Sequence, residues 1–264
     1  SRQFGLVSVD FSRRFLLIAF VFIWIYTSAS IRPIREAFVK QKQFIADASH
    51  ELKTPIAVIS ANIDVLEQDI KDNKWLGYIK AENYRMGNLV KDLLYLAKSD
   101  AGRQTIEIIP FDIVDAVACS LLPFESVAFE EGKSFSMNLP KTPLMVNGDE
   151  GKIKQVAIIL LDNALKNSEK GAKISVNIMK DGNRCLLKVY NTGHGIAPKD
   201  IDKIFNRFYR ADYSRARTTG GYGLGLTIAQ NIAMDHHGKV TVQSEEGKYA
   251  EFTLNIPVDL KPFK

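Results

Sequence analysis

Apolar residues recur along the first part of the chain at the spacing of packed helices. Ile31, Phe38, Ile45, Leu52, Ile59 and Leu66 stand seven residues apart, and Ser49, Ile56, Ile63 and Ile70 fill the alternate seam. A 3,4 spacing held over several turns predicts a helix that packs in a coiled coil or bundle. The run 71–75 (KDNKW) interrupts it, and Leu76, Ile79, Asn83, Met86, Val90, Leu93 and Ala97 resume it. Two such helices with a short connection predict an antiparallel hairpin. A lone hairpin buries one face of each helix, so two copies joined in a four-helix bundle, a homodimer, are the expected completion.

Ser99-Asp100-Ala101-Gly102 ends the pattern, and the character of the chain changes. Short β-rich runs at 105–109, 134–139, 173–179, 185–190, 239–243 and 250–256 alternate with apparent helices at 112–131, 150–168 and 223–237. Such an order predicts an α/β sandwich with helices laid on one face of a sheet. At the other end, 15–31 (FLLIAFVFIWIYTSASI) carries no charge and is flanked by Arg13-Arg14, Arg32 and Arg35. At ~1.5 Å per residue it covers roughly 26 Å, just short of a ~30 Å hydrocarbon core. It has no polar stripe, as a buried core helix would, and a charged helix follows where a signal peptide would need a cleavage site. The expected organisation is multidomain: a flank (1–14), a transmembrane helix (15–31), an all-α dimerising hairpin (32–100), a linker (101–104), an α/β sandwich (105–258) and a tail (259–264).

Composition refines this only a little. Across 264 residues, 46% hydrophobic and 25% charged content fits a packed core and excludes wholesale disorder. A net charge of +5 is too mild and too scattered to argue for a nucleic-acid partner, and none is expected. Cys119 and Cys185 stand far apart without a CxxC pair, which reads as buried reduced thiols in a cytosolic setting.

The chemistry concentrates in a few strings. In FIADASHELKTPI (44–56) the heptad places His50, Glu51 and Thr54 on outward positions. A histidine with a pKa of about 6.5 is largely neutral at cell pH and can accept a phosphoryl group. Glu51 beside it could hold or take the ring proton. Thr54, one turn on, could orient a water against a phosphohistidine. Pro55 removes a backbone hydrogen bond and bends the helix. A lone histidine here would read as a solvated surface residue, but the whole HELKTP string is far more specific.

That string resembles the phosphoacceptor box of bacterial two-component sensor histidine kinases, and the likeness extends over about 35–257. DEGKIKQVAIILLDNALKNS (149–168) is similar to the family's N box, which implies that Asn163 binds Mg2+ and Lys166 contacts phosphate. Two positions depart from it: Ile159 stands where a further asparagine is usual, and Asn167 where an aromatic often stacks on adenine. VYNTGHGI (189–196), FNRFYR (205–210) and GGYGLGLTI (220–228) resemble the G1, F and G2 boxes, and six of the 17 glycines fall in the two glycine boxes. The implied ATP contacts are Asn191, in place of the usual adenine-reading Asp, with Gly193, Gly195, Gly221, Gly223, Gly225 and the lid residue Arg210. The helix opening after the second glycine run would aim its amide groups at phosphate. GYGLGL is not a dinucleotide fingerprint, because Leu226 takes the place of the third glycine and no βαβ unit precedes it. His194, His236 and His237 have no partners at ligand spacing, so solvated or capping roles are expected of them.

The resemblance implies ATP-dependent autophosphorylation on His50, transfer to an aspartate of a response regulator, and a Thr54-dependent phosphatase step. It also implies a homodimer in the cell membrane, with residues from about 32 onward in the cytoplasm, where ATP is. The departures at Ile159, Asn167 and Asn191 motivate one alternative, a membrane scaffold of the kinase fold without catalysis. Relatives that share only the ATP fold, such as chaperones and mismatch-repair ATPases, have no need of an HELKTP hairpin.

Overall fold

The computed structural model describes residues 20, 22, 52–67, 70, 73–100, 106–210 and 222–259. The chain divides into two compact units, Ser1–Gly87 and Asn88–Lys264. Of the expected membrane segment 15–31 only Phe20 and Phe22 are among the described residues, and both are helical. Among the described residues no helix is long and apolar enough to cross a membrane. His50, Glu51, the linker 101–104 and Gly221 also lie outside the described residues.

The first unit holds helix α1 (52–67) and the opening turns of α2 (Lys74–Asp100). Asn73 starts α2: its side-chain oxygen accepts from the amides of Trp75 (2.9 Å) and Leu76 (3.4 Å), satisfying donors that a helix N-terminus leaves open. The two helices run antiparallel. Asn83 Nδ2 donates to Ile56 O at 3.2 Å near one end, and Lys80 pairs with Asp64 (3.2 Å) and Glu67 (2.6 Å) near the other. Ile63, Leu76 and Asn83 are buried between them, whereas Leu52, Ile59, Leu66 and Ile79 are exposed. One of the two apolar seams is thus filled within the hairpin and the other is bare.

The second unit is an α/β sandwich. A five-stranded sheet has the order β2 (Ser134–Asn138), β4 (Lys173–Asp181), β5 (Arg184–Thr192), β7 (Tyr249–Pro257), β6 (Lys239–Glu245), with β2 and β4 parallel and the other pairs antiparallel. Burial alternates residue by residue along β5 and β7, so one face of the sheet is core. On that face lie α3 (Ile113–Leu121), α5 (Glu150–Lys166) and α6 (Gly225–Asp235), with Val117, Ile153, Leu160, Leu161, Ile228 and Ile232 among the fully buried contacts.

Three sequence expectations change. The strand expected at 105–109 forms instead as β1 (Ile109–Asp112), paired antiparallel with β3 (Met145–Gly148), a strand the pattern did not announce. Pro110 is tolerated there because a two-stranded ribbon has an unpaired side. The helix expected over 112–131 is two, α3 and α4 (Phe124–Glu130), because Pro123 has no N–H to continue the ladder and caps the second helix instead. Asp112 ties this corner together by accepting from Val114 N (3.1 Å) and Leu144 N (2.9 Å). Finally, Cys119 is exposed beside Asp115 on the outer side of α3. Cys185 is buried as expected, and desolvation pushes its thiol up to about 12.

His236, at the end of α6, takes the capping role in a buried setting. Its Nδ1 is 2.7 Å from Ile232 O, and its Nε2 accepts from Asp149 N at 2.9 Å. Nδ1 therefore carries the proton, and Nε2 has a donor facing it. Burial, the largest cause, lowers the His236 pKa below 6.5 despite Asp149 and Asp235 nearby. Between that lowered value and 6.5 the unfolded chain binds more protons than the folded one, so stability falls as pH drops below about 6.5. Thermal unfolding at a series of pH values checks this: replacing His236 by Leu should remove that part of the acid limb. At pH 7.5 the same change should cost about 1–3 kcal/mol by leaving the Asp149 amide unpaired.

Candidate functional site

Helix α5 presents one face to the sheet and its last turns to a rim. Asp149 caps its start by accepting from Lys152 N at 3.0 Å. Its buried residues, from Ile153 through Leu165, leave Asn163, Lys166 and Asn167 off the core face, with Ile159 partly buried against the edge of the core. Asn163 is half-buried, and its side-chain oxygen accepts from Asn167 Nδ2 at 3.0 Å. Lys166 Nζ lies 2.6 Å from Asp162 Oδ2, an exposed pair one turn apart. Ile159 Cγ2 comes within 3.3 Å of where a Cβ on Gly225 would stand.

The end of β5 delivers Asn191 and the first glycine run to this rim. Asn191 is 1% exposed, and its Nδ2 donates to Thr192 O at 3.3 Å, the long end of the hydrogen-bond range. The loop beyond it is fixed by its backbone. Gly193 N donates to Lys248 O (3.0 Å), Gly247 N to His194 O (2.6 Å), and Ile196 N to Ser244 Oγ (2.8 Å). Gly193 has φ +151°, and a Cβ there would sit 2.6 Å from Asn167 O. Gly195 has φ +62°, and a Cβ would collide with Glu245 O. Only glycine allows backbone to approach this closely at such angles. His194 Nε2 lies 3.2 Å from Glu169 Oε1.

The third wall is the start of α6 and the segment before it. Gly223 (φ +72°) accepts from Phe208 N at 3.0 Å, and a Cβ there would sit 2.7 Å from Tyr209 O. Among the described residues no side chain caps the first turn of α6, which leaves its leading amides suited to an anion. Thr227 Oγ1 donates to Phe205 O (2.7 Å) and Tyr209 OH to the buried Asp200 (2.7 Å). Phe208 itself has φ +61°, an unusual angle for a bulky residue. Arg210 follows directly, half-buried.

The structure therefore brings Asn163, Gly193 and Gly225 together through Asn167 and Ile159. Asn191 closes β5 just before the loop that carries Gly195, and Gly223 and Arg210 lie on the adjoining wall. The donor set fits a nucleotide and a hard cation: a cradle of main chain that any Cβ would fill, a helix start open to phosphate, and an amide oxygen at its edge. In the helical unit, Thr54 is exposed on α1. Sequence reasoning missed three contacts: the Asn163–Asn167 bond, the Arg207–Asp100 pair (2.6 Å), and Asn231 Nδ2 on Ser99 Oγ (3.1 Å). The first had a signal, since amides four residues apart on a helix can meet. The other two pair residues more than a hundred positions apart.

Comparison with known proteins agrees with this geometry. Residues 40–102 match the His Kinase A (phospho-acceptor) domain, and residues 148–260 match the Histidine kinase-, DNA gyrase B-, and HSP90-like ATPase family. The sensor protein DltS of Streptococcus agalactiae is 33% identical over 262 residues, 95% of this chain and 65% of DltS. Sensor histidine kinase YkoH of Bacillus subtilis is 37% identical over 234 residues, 84% of this chain and 49% of YkoH. The chain thus spans between half and two thirds of the length of these relatives. Among solved structures, full-length ShkA in complex with AMPPNP aligns over 84% of this chain and 47% of its own, with a TM-score of 0.72 at 25% identity. The Acinetobacter baumannii histidine kinase AdeS aligns over 79% of this chain and 98% of its own, with a TM-score of 0.59 at 25% identity. A phosphoacceptor helix followed by an ATPase sheet, in a chain alignable with named sensor kinases over most of its length, places it in the family: the chain belongs to the two-component sensor histidine kinases.

Proposed function

We propose that this chain is a working kinase. A ring nitrogen of His50 attacks the γ-phosphorus of ATP held in the glycine cradle. The N–P bond forms as the bond to the ADP oxygen breaks, and Glu51 takes the ring proton. A carboxylate oxygen of an aspartate on a response regulator then attacks the same phosphorus, and the N–P bond breaks. Thr54 would orient the water that attacks the regulator's aspartyl phosphate, breaking its O–P bond to release phosphate, the opposing phosphatase step. The observation that carries this reading is the HELKTP string, which runs into helix α1 from Leu52 on, in the same chain as a nucleotide cradle built from Gly193, Gly195 and Gly223.

Other parts of the site have assigned roles in this reading. Asn191 accepts from the adenine amino group. Asn163 holds Mg2+, which neutralises phosphate charge when bound. Lys166 exchanges Asp162 for phosphate, and Arg210 with Gly221, Gly223 and Gly225 encloses the triphosphate end. The bare seam of Leu52, Ile59 and Leu66 supports a homodimer through 32–100, with 101–104 as linker and 105–258 as the catalytic domain. The uncharged run 15–31 supports anchoring in the cell membrane, with 1–14 before it, 259–264 as a tail, and the catalytic part in the cytoplasm.

Incubation with γ-labelled ATP and Mg2+ tests the reading. It should give an acid-labile, base-stable label that His50→Ala abolishes while nucleotide affinity is unchanged; labelling retained in the variant sinks the phosphoacceptor assignment. Asn163→Ala should nearly eliminate Mg2+-dependent turnover, because Ile159 offers the metal no second oxygen. Ile159→Asn should raise Mg2+ affinity, read from Mg2+ titrations of the labelling rate. Asn191→Asp exchanges a long, weak donated bond for a charged acceptor, and should tighten ATP binding about fivefold by equilibrium titration.

A further inference from the structure

Asn163, the metal ligand in the proposed function, accepts a hydrogen bond on its side-chain oxygen from a neighbour one turn on. Asn167 closes the C-terminus of α5. Its amide nitrogen Nδ2 donates to Asn163 O at 2.8 Å and to Asn163 Oδ1 at 3.0 Å, while its own backbone N donates to Asn163 O at 3.1 Å. Its main chain is wedged as well, since Asn167 O lies where a Cβ on Gly193 would reach it at 2.6 Å. The donor is therefore held from two sides, by its helix and by the first glycine loop.

A carboxamide is nearly symmetric in shape, and its oxygen and nitrogen exchange places by a half-turn of the terminal torsion. A hard cation takes only the oxygen. Without a donor to choose between the two orientations, an asparagine presents nitrogen to the metal for part of the time. In this chain the residue one turn before Asn163 is Ile159, which neither shares the metal nor hydrogen-bonds the amide. The residue one turn after it does the orienting. Oδ1 has two lone pairs, so the bond from Asn167 leaves one for the cation.

We propose that Asn167 is a positioning residue for the Mg2+ site: it selects the oxygen-presenting orientation of Asn163 and so compensates for the ligand that Ile159 replaces. This rests on the assignment of Asn163 as the metal ligand. It gives a reason for an amide at a position where the family resemblance leads one to expect an aromatic: the chain exchanges adenine stacking for control of its single side-chain ligand.

The test is the affinity of the full chain for AMPPNP, measured by calorimetric titration in Mg2+ and again in EDTA. The proteins are wild type, Asn167→Ala, Asn167→Leu, Asn163→Ala and the double variant Asn163→Ala/Asn167→Ala. The leucine keeps the branched heavy-atom skeleton of the side chain and removes its hydrogen-bonding groups. Both single changes at 167 should weaken binding about fivefold in Mg2+, the worth of one hydrogen bond, and leave it unchanged in EDTA. The double variant should bind no more weakly than Asn163→Ala, because two residues acting through one ligand are not additive. An equal loss in Mg2+ and EDTA would mean that Asn167 serves only as a helix cap, and the proposal fails. No loss in either, or full additivity, overturns it too. If Asn163→Ala leaves the difference between Mg2+ and EDTA intact, the metal assignment itself falls; if Asn163→Ala removes it while both 167 variants keep it, only the positioning role falls.

Discussion

Burial of one face of α5 against the sheet governs the rest of the site. Ile153, Val156, Ala157, Leu160, Leu161, Ala164 and Leu165 fill the core, and a helix turns by about 100° per residue. A slip of one position would turn Asn163 into apolar packing with its amide unpaired, at a cost of roughly 1–3 kcal/mol, and lift a leucine into water. Both ends are pinned as well. At the start Asp149 caps the helix while its own amide is held by His236; at the end Lys133 Nζ donates to Leu165 O at 2.7 Å and Ser168 Oγ to Ala164 O at 2.6 Å. The polar rim is the face that the hydrophobic seam cannot use.

The glycine loops extend that constraint outward. Because α5 is fixed, Asn167 O is fixed, and Gly193 must pass it closely; because β6 and β7 meet in a tight turn, Gly195 must pass Glu245 O. The cradle is thus main chain against main chain, a surface that repacking a side chain cannot widen. By contrast, the last turn of α2 is tied to the same unit through Arg207–Asp100 and Asn231–Ser99, polar contacts at or near the surface. An exposed pair of this kind contributes about 0–1 kcal/mol. Leu96, 1% exposed and part of the hydrophobic core, holds that end of α2 more firmly than these pairs do.

How much of this was legible in the sequence depended on the range over which each feature is decided. The hairpin seam shows because period and burial agree within a few turns, with Ile63 and Leu76 buried as the 3,4 spacing requires and the break at 71–75 resolved by the Asn73 cap. The helices that became α5 and α6 were readable for the same reason, and the glycine positions because only backbone crowding accounts for so many together. β3 was hidden because four residues, one of them glycine, carry no period of their own and become a strand only by pairing with β1. The division of α3 from α4 was written in Pro123, but an apolar run on both sides outweighed it. His236 was judged by the absence of metal partners, and its role depends on Asp149, 87 positions away.

The closeness of Ile159 to the start of α6, where its Cγ2 would stand 3.3 Å from a Cβ on Gly225, connects these scales. A second asparagine at 159 would offer the metal an oxygen, but it would have no branch to rest against the first residue of α6. With isoleucine there, a side chain added at 225 would press on Ile159 Cγ2, so glycine suits the first position of α6. In the proposed function, where Asn163 is the metal ligand, its orientation is then the variable on which cation binding turns. On that proposal an amide at 167, held by α5 and close to the first glycine loop, has consequences that it would lack in a site with two oxygens to offer.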